Sequence, residues 1–207
     1  VAFTDKRNVI AEIHRLDKVK LELGCGERKR IQDSIGIDAL DYPCVDIVGD
    51  VLEVLKHIPD ASVQAIHAFH FMEHVEDLET LLSEIERIML EDGTLEIVVP
   101  HFSNPYFYSD YTHRKHFGLY TLSYFARNSF FKRRVPSYQK KQCLELRAVT
   151  LNFKSSPPFY FRHLVKRLIT MVVNMTNSTK EFYEENLCYI FPCYEIRYCL
   201  TKKQAAE

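Results

Sequence analysis

Two hydrophobic rhythms divide the first hundred residues. Over residues 5–17, Val9, Ile10, Ile13 and Leu16 recur near helical spacing and predict an amphipathic helix. Residues 19–23 are a short apolar-rich run leading straight into Gly24-Cys25-Gly26, and predict a strand. A second strand is predicted over 35–38, ending on Asp38, and a third over 45–48, closing on Gly49-Asp50. A short helix over 51–57 and a strand over 63–69 follow. Leu78, Leu81, Leu82, Ile85, Ile88 and Met89 form one stripe and predict a helix over 78–90. Asp92-Gly93 is expected to end it, as glycine commonly does. A further strand, 95–99, stops at Pro100. Ile97-Val98-Val99 is apolar throughout, as a strand covered on both faces should be. Strand and helix in turn, with short connections, predict an α/β fold around a parallel sheet.

After Pro100 the texture changes. Residues 101–138 are aromatic, basic and loop-like, with a helix predicted over 121–128. Residues 144–153 read as a strand, and Pro157-Pro158 opens an apolar-basic helix running to about Met175. A helix over 179–187 and a terminal strand over 194–200 complete the chain. No internal repeat or low-complexity stretch is present.

A chain of 207 residues suits one domain. Its 46% hydrophobic and 27% charged residues exclude disorder, a collagen-like chain and a coiled coil. No run of about 18 apolar residues could span a membrane. The net charge of -1 points to no polyanion, but the charge is unevenly placed. Val1 to Asp110 holds 10 basic and 22 acidic residues, whereas Tyr111 to Met175 holds 13 basic residues and only Glu145 as an acid. The second segment therefore suggests an anionic ligand. The six cysteines show no C-x-x-C pair, which fits free thiols in a reducing cytoplasm. No signal peptide is visible, although a chain starting at Val1 leaves a removed leader open, and the Asn174 and Asn177 sequons are read as chance.

In parallel α/β sheets, ligands sit beyond the carboxyl ends of the strands. Gly24-Cys25-Gly26 occupies such an end, where glycines let a ligand approach backbone N–H groups. Lys29 stands where a dinucleotide turn would have its third glycine, so a tightly held diphosphate is not expected. Asp38 suits ribose hydroxyls, and Asp50 beside Val51 suits an adenine amino group. Together these predict a nucleoside ligand without the diphosphate.

On these residues the chain resembles the class I S-adenosylmethionine-dependent methyltransferases. The resemblance runs through Leu21-Glu22-Leu23-Gly24-Cys25-Gly26, Gly36-Ile37-Asp38, Asp46-Ile47-Val48-Gly49-Asp50-Val51, Phe71-Met72-Glu73-His74-Val75 and the segment from Glu84 to Leu95. Within that class it looks like small bacterial methyltransferases of surface-polysaccharide or secondary metabolism, through Asp110-Tyr111-Thr112-His113, Phe117 and the closing segment from Tyr189 to Ile196. The usual third glycine of the family's first motif is absent, with Arg28 near its place. The resemblance implies a doubly wound, Rossmann-like, mostly parallel sheet with a C-terminal cap or lid. It implies one domain over 1–207, with a cofactor-binding core at 18–100 and acceptor-side loops, lid helices and terminal strands at 101–207. The implied cofactor is S-adenosylmethionine, leaving as S-adenosylhomocysteine. By position, Glu22, Gly24, Cys25 and Gly26 would line its methionine end, Asp38 its ribose, Asp50 and Val51 its adenine, and His70 its sulfonium. Glu73 and His74 are read as starting the next helix, and no metal is expected.

A hydroxyl acceptor profits from a general base, and histidine is the side chain matched to neutral pH. The candidates are His113, His70 and His101, with Asp110 as an orienter. Tyr106, Phe107, Tyr108 and Tyr111 would wall the acceptor or simply pack. The acceptor expected is a sugar hydroxyl of a surface glycan or of its nucleotide- or lipid-linked precursor, with a small molecule or RNA as alternatives. No RNA module is appended, so nucleic acid is the less favoured partner. His70-Phe71-Met72-Glu73-His74 also matches an inverted zinc-hydrolase motif, if both histidines share a helix face, but no third ligand stands out. A non-catalytic anion-binding module is the remaining class. Phe159, Phe161, Leu164, Val165, Leu168, Ile169, Val172 and Val173, with Arg162, Lys166 and Arg167, form either a lid helix or a surface for an anionic membrane. Localisation is therefore read as cytoplasmic, with room for contact at the inner membrane. The sequence assigns no oligomeric state.

Overall fold

Eight strands form one mixed sheet in a computed structural model that describes residues 3–127, 130–136, 143–155 and 160–203. The strands are β1 (Thr4–Asp5), β2 (Lys20–Leu23), β3 (Ile35–Asp38), β4 (Ile47–Val48), β5 (Val63–Phe69), β6 (Met89–Pro100), β7 (Leu144–Asn152) and β8 (Glu195–Lys202). Their order is β1-β4-β3-β2-β5-β6-β8-β7. Strands β4, β3, β2, β5 and β6 run parallel, while β1, β8 and β7 pair antiparallel to their neighbours. The order reverses at β2, so chain crossovers leave in opposite directions from β2 and β5. This is the switch point beyond which α/β sheets bind ligands. The terminal β8 inserts between β6 and β7, and the sheet therefore runs through both halves of the chain.

The helices are α1 (Val9–Glu12), α2 (Val51–Leu55), α3 (Leu78–Ile88), α4 (Tyr160–Val173) and α5 (Asn177–Asn186). In α3 the expected stripe is the buried face, with Leu78, Leu81, Leu82, Ile85 and Ile88 all in the core. Asp77 caps it, accepting from the Thr80 amide at 3.0 Å. The predicted end is corrected, because the chain turns extended at Met89 and β6 begins there. Asp92, not Gly93, takes the positive φ of 60°. The stretch from Met89 to Asp92 contributes to the sheet instead of prolonging the helix.

The helix predicted over 5–17 shrinks to one α-turn and a 3-10 turn, Ile13–Arg15. The Asp5 carboxylate is the reason. It accepts from the amides of Arg7, Val9 and Ile10 at 3.2, 2.9 and 2.8 Å, which fixes a turn and leaves Thr4–Asp5 free to pair with β4. Of the helix predicted over 121–128, the described residues 121–127 form only a 3-10 turn, Thr121–Tyr124. Pro157, Pro158 and Phe159 lie outside the described residues.

Helix α4 lies along the edge strand β7. Asn174 accepts from the Leu151 amide at 2.9 Å and donates to its carbonyl at 2.7 Å, continuing the edge with a side chain. Val173 is buried, whereas Leu164, Leu168, Met171 and Val172 are exposed. The helix therefore covers less of the sheet than a lid packed by its whole apolar face. No helix among the described residues is long and apolar enough to cross a membrane.

Candidate active site

The turn after β2 is built by a buried acid. Residues 24–34 make the parallel crossover to β3 with no helix in it. Such a short crossover needs another source of hydrogen bonds. Glu22 supplies it: its carboxylate, only 2% exposed, accepts from the amides of Arg30 and Ile31 at 2.9 Å. The Ser34 hydroxyl stands 3.4 Å away. Lys29, at the missing glycine position, turns across to Asp46 at 2.8 Å and the Ser34 carbonyl at 2.7 Å. The residue that departs from the glycine pattern thus ties the loop to the β3–β4 connection.

Gly24 and Gly26 both have positive φ, 64° and 60°. A Cβ on Gly24 would stand 2.6 Å from the Phe71 ring, whereas one on Gly26 would meet nothing within 4 Å. Phe71 follows β5, so the glycine turn and the β5 end pack against each other. Asp38 accepts from the Gly26 amide at 2.8 Å and from the Leu40 amide at 2.9 Å. Asp50 caps α2 through the Glu53 amide at 3.0 Å, and Val51 behind it is buried. Cys25 is buried, and that burial, helped by the neighbouring Cys44, Asp38 and Glu22, pushes its thiol up to about 12. It stays a thiol at neutral pH. The sites named from sequence thus converge on one edge, at the carboxyl ends of β2, β3, β4 and β5.

The three histidines separate. His101 is fully buried at the end of β6, with Nδ1 taking the Ser103 amide at 3.1 Å and Nε2 on the Glu184 carboxylate at 3.1 Å. Both nitrogens are occupied, so the expectation that it acts as a base is corrected to a staple between β6 and α5. His70 has a positive φ of 54° and lies between two carboxylates, Glu73 at 3.5 Å and Glu195 at 3.4 Å. Glu195 and then Glu73 raise its pKa to about 9, against the opposing effect of burial. It is a cation at neutral pH, which corrects its reading as a base.

His113 is different. Its Nδ1 lies 2.9 Å from the Phe107 carbonyl, which can only accept, so Nδ1 carries the proton and Nε2 is bare. His74 stands beside it, ring centroids 4.9 Å apart. The His74 Nδ1 lies 2.9 Å from the Thr112 hydroxyl, whose own proton goes to Asp110 at 2.5 Å. His74 therefore also donates from Nδ1 and leaves Nε2 bare. Asp110, the expected orienter, acts on Thr112 and stays 3.6 Å from His113 Nε2. The Thr112 hydroxyl and amide hold its carboxyl below the usual range. The Glu73 carbonyl accepts from the amides of Arg114 and Lys115 at 2.7 and 3.1 Å, which fastens this segment to the 3-10 turn Met72–His74.

That turn also corrects the zinc-hydrolase reading. His70 follows β5 and His74 ends a 3-10 turn, so the two do not share a helix face. Glu73 and His74, read from sequence as the start of a helix, instead form one cluster with His113. The aromatic wall splits too, with Phe107 buried against His113 and His116 while Tyr106, Tyr108 and Tyr111 are exposed.

Two residues carry no local signal in the sequence, Lys154 and Glu195. Their ion pair connects His70 to a cavity of about 530 Å³, lined by Asn104, Tyr106, Lys154, Arg162, Lys166 and Tyr194 among others. Burial opposes ionisation of Glu195, but His70 and Lys154 outweigh it and bring its pKa down to about 2. A depressed carboxyl stabilises the fold above its unfolded pKa near 4.5 and loses that contribution as pH falls through about 2. Urea titrations at pH 6, 4 and 2.5 should show wild type losing about 1–3 kcal/mol more than Glu195→Gln over that range, allowing for solvent screening at exposed Lys154. Equal losses would mean that Glu195 is not ionised in the folded protein.

Comparison with known proteins agrees with this geometry. Residues 7–97 match the family model described as a methyltransferase domain. A methyltransferase of Archaeoglobus fulgidus, described as dependent on S-adenosylmethionine, superposes with a TM-score of 0.56 at 20% identity, over 95% of this chain and 94% of that one. The YcgJ protein of Bacillus subtilis gives 0.52 at 15% identity, over 95% and 97%. Phosphoethanolamine N-methyltransferase 2 of Haemonchus contortus, in complex with S-adenosylmethionine, gives 0.50 at 13% identity, over 95% of this chain and 52% of that one. No curated protein matches the chain. Residues 7–97 thus carry a methyltransferase-domain match, and the chain shares the Rossmann-like α/β fold of these S-adenosylmethionine-dependent methyltransferases.

Proposed function

We propose that the chain is a class I S-adenosylmethionine-dependent methyltransferase that methylates a hydroxyl oxygen of a sugar, on a surface glycan or its nucleotide- or lipid-linked precursor. The bare Nε2 of His113 carries the reading. An alcohol attacks the sulfonium methyl well only as its proton departs, and a neutral imidazole is matched to accept it. The acceptor oxygen forms the new bond to the methyl carbon, the carbon–sulfur bond breaks, and its electron pair stays on sulfur as S-adenosylhomocysteine. The proton leaves through the His113 cluster. The remaining work is alignment and exclusion of water.

In this reading Gly24, Cys25 and Gly26 shape the methionine end, held from below by Glu22. Asp38 takes the ribose and Asp50 with Val51 the adenine, while His70, charged and held by Glu73 and Glu195, is not placed against the sulfonium. Asp38→Ala should weaken S-adenosylhomocysteine binding by about 1–3 kcal/mol, the scale of hydrogen bonds to a charged group. Unchanged affinity in a folded variant would remove Asp38 from the site.

The cavity at Lys154, Arg162 and Lys166 supports an anionic acceptor. The exposed Leu164, Leu168, Met171 and Val172, flanked by Arg162 and Arg167, support the lipid-linked form held at an anionic membrane surface. The test is transfer of labelled methyl to nucleotide-linked sugars, lipid-linked sugars and neutral glycans, with phosphoethanolamine as an amine control suggested by the Haemonchus enzyme's name. A methyl ether on a phosphate-bearing sugar is expected. Transfer to the amine alone would replace the hydroxyl reading.

A further inference from the structure

We propose that Glu73, His74 and His113 form a binding site for a first-row divalent metal ion of the zinc, cobalt or iron class. Each offers one ligand atom, and the three atoms lie within 4.8 Å of one another. Two imidazoles and a carboxylate with an open position are a ligand set that holds zinc in catalytic sites. Imidazole donors favour these ions over magnesium or calcium, which want oxygen ligands.

Three observations set this cluster apart from a chance grouping of polar side chains. Both histidines are fixed as metal-ready tautomers, since each Nδ1–H is spent on an oxygen, of Phe107 for His113 and of Thr112 for His74. Holding the far nitrogen of a ligating histidine in this way is the usual outer-shell device, and Asp110 extends it behind Thr112. Glu73 is only 1% exposed, yet its Oε2 has no hydrogen-bond partner. His70 meets the other oxygen, Oε1, at 3.5 Å, so Oε2 is the atom of this buried carboxylate left open to a further cation. Finally, the Nε2 of His74 stands 3.9 Å from Glu73 Oε1, too far for a hydrogen bond and near enough for both groups to reach one ion. Ligand bonds of about 2.0–2.2 Å require the three atoms to draw in by roughly 1 Å, within the reach of side-chain rotation.

The ion's binding stands on these contacts alone; its use rests on the methyl-transfer reading, the bound ion replacing the His113 lone pair by lowering the pKa of the acceptor hydroxyl at the open position, whose proton then passes to water. The experiment uses chelator-treated full-length protein titrated with Co²⁺, followed by visible absorption, with Mg²⁺ as a second titrant. One equivalent of Co²⁺ should bind with ligand-field bands and no thiolate charge-transfer band, and Mg²⁺ should not compete. His74→Ala and His113→Ala should each weaken binding by at least about tenfold, and Thr112→Val, which removes only the outer-shell oxygen, by about tenfold. No Co²⁺ binding by wild type, or affinity unchanged in all three variants, would overturn the site. Circular dichroism of the same preparations reports whether they are folded, and S-adenosylhomocysteine titration whether they bind the cofactor. Cofactor binding without Co²⁺ binding would sink the metal site and leave the methyltransferase reading in place.

Discussion

His113→Ala lowers turnover by about 10²–10⁴-fold and leaves S-adenosylhomocysteine affinity where it was, if the site works as described. The size follows from the role. Of the three histidines that the strand ends offered as bases, His101 has both nitrogens occupied and His70 lies between two carboxylates. His113 alone presents a bare nitrogen, its other one held by the Phe107 carbonyl. Its side chain is 8% exposed, so water does not readily replace it. The same loss is expected whether Nε2 takes the acceptor proton itself or holds an ion that acidifies the acceptor hydroxyl. Single-turnover label transfer, with calorimetry on the same sample, checks both halves of the prediction. Turnover within a few-fold of wild type would make His113 a structural residue.

Gly24→Ala has the largest expected effect on stability, about 2–5 kcal/mol. A left-handed φ of 64° costs a non-glycine residue about 1–2 kcal/mol. The added methyl also falls 2.6 Å from the Phe71 ring, and overpacking of this kind costs about 1–3 kcal/mol more. Gly26→Ala is the internal control. It has nearly the same φ, 60°, but open space around the new Cβ, so only the backbone cost of about 1–2 kcal/mol remains. Urea denaturation midpoints of the two variants should therefore separate clearly. Equal midpoints would mean that Phe71 yields, and that the contact between the glycine turn and the β5 end is not rigid.

The shared strand-end placement of the residues proposed for the cofactor was legible because its signals are local. A glycine pair closing a strand, an acid ending a second and an acid two residues past a third are positions that chain order alone places on one edge. The half around His113 was legible only in part. Asp110 and His113 were named, but Glu73 and His74 look the same in sequence whether they start a helix or end a turn. What decides is the long-range pairing of the Glu73 carbonyl with the Arg114 and Lys115 amides. Lys154 and Glu195 reach the site from β7 and β8, strands whose placement beside β6 no local pattern reveals. The fold followed the same division. Strong periodicity marked α3, β3 and β5 nearly to the residue, whereas the helix over 5–17 yielded to one carboxylate at Asp5 that captured three backbone amides.

Calorimetric titration of the chelator-treated protein with S-adenosylhomocysteine tests the central claim most directly. One site with a Kd on the order of 1 μM, about -8 kcal/mol, is predicted. No heat from protein shown to be folded by circular dichroism would contradict it, and would mean that the turn held by Glu22 and Lys29 no longer receives the cofactor.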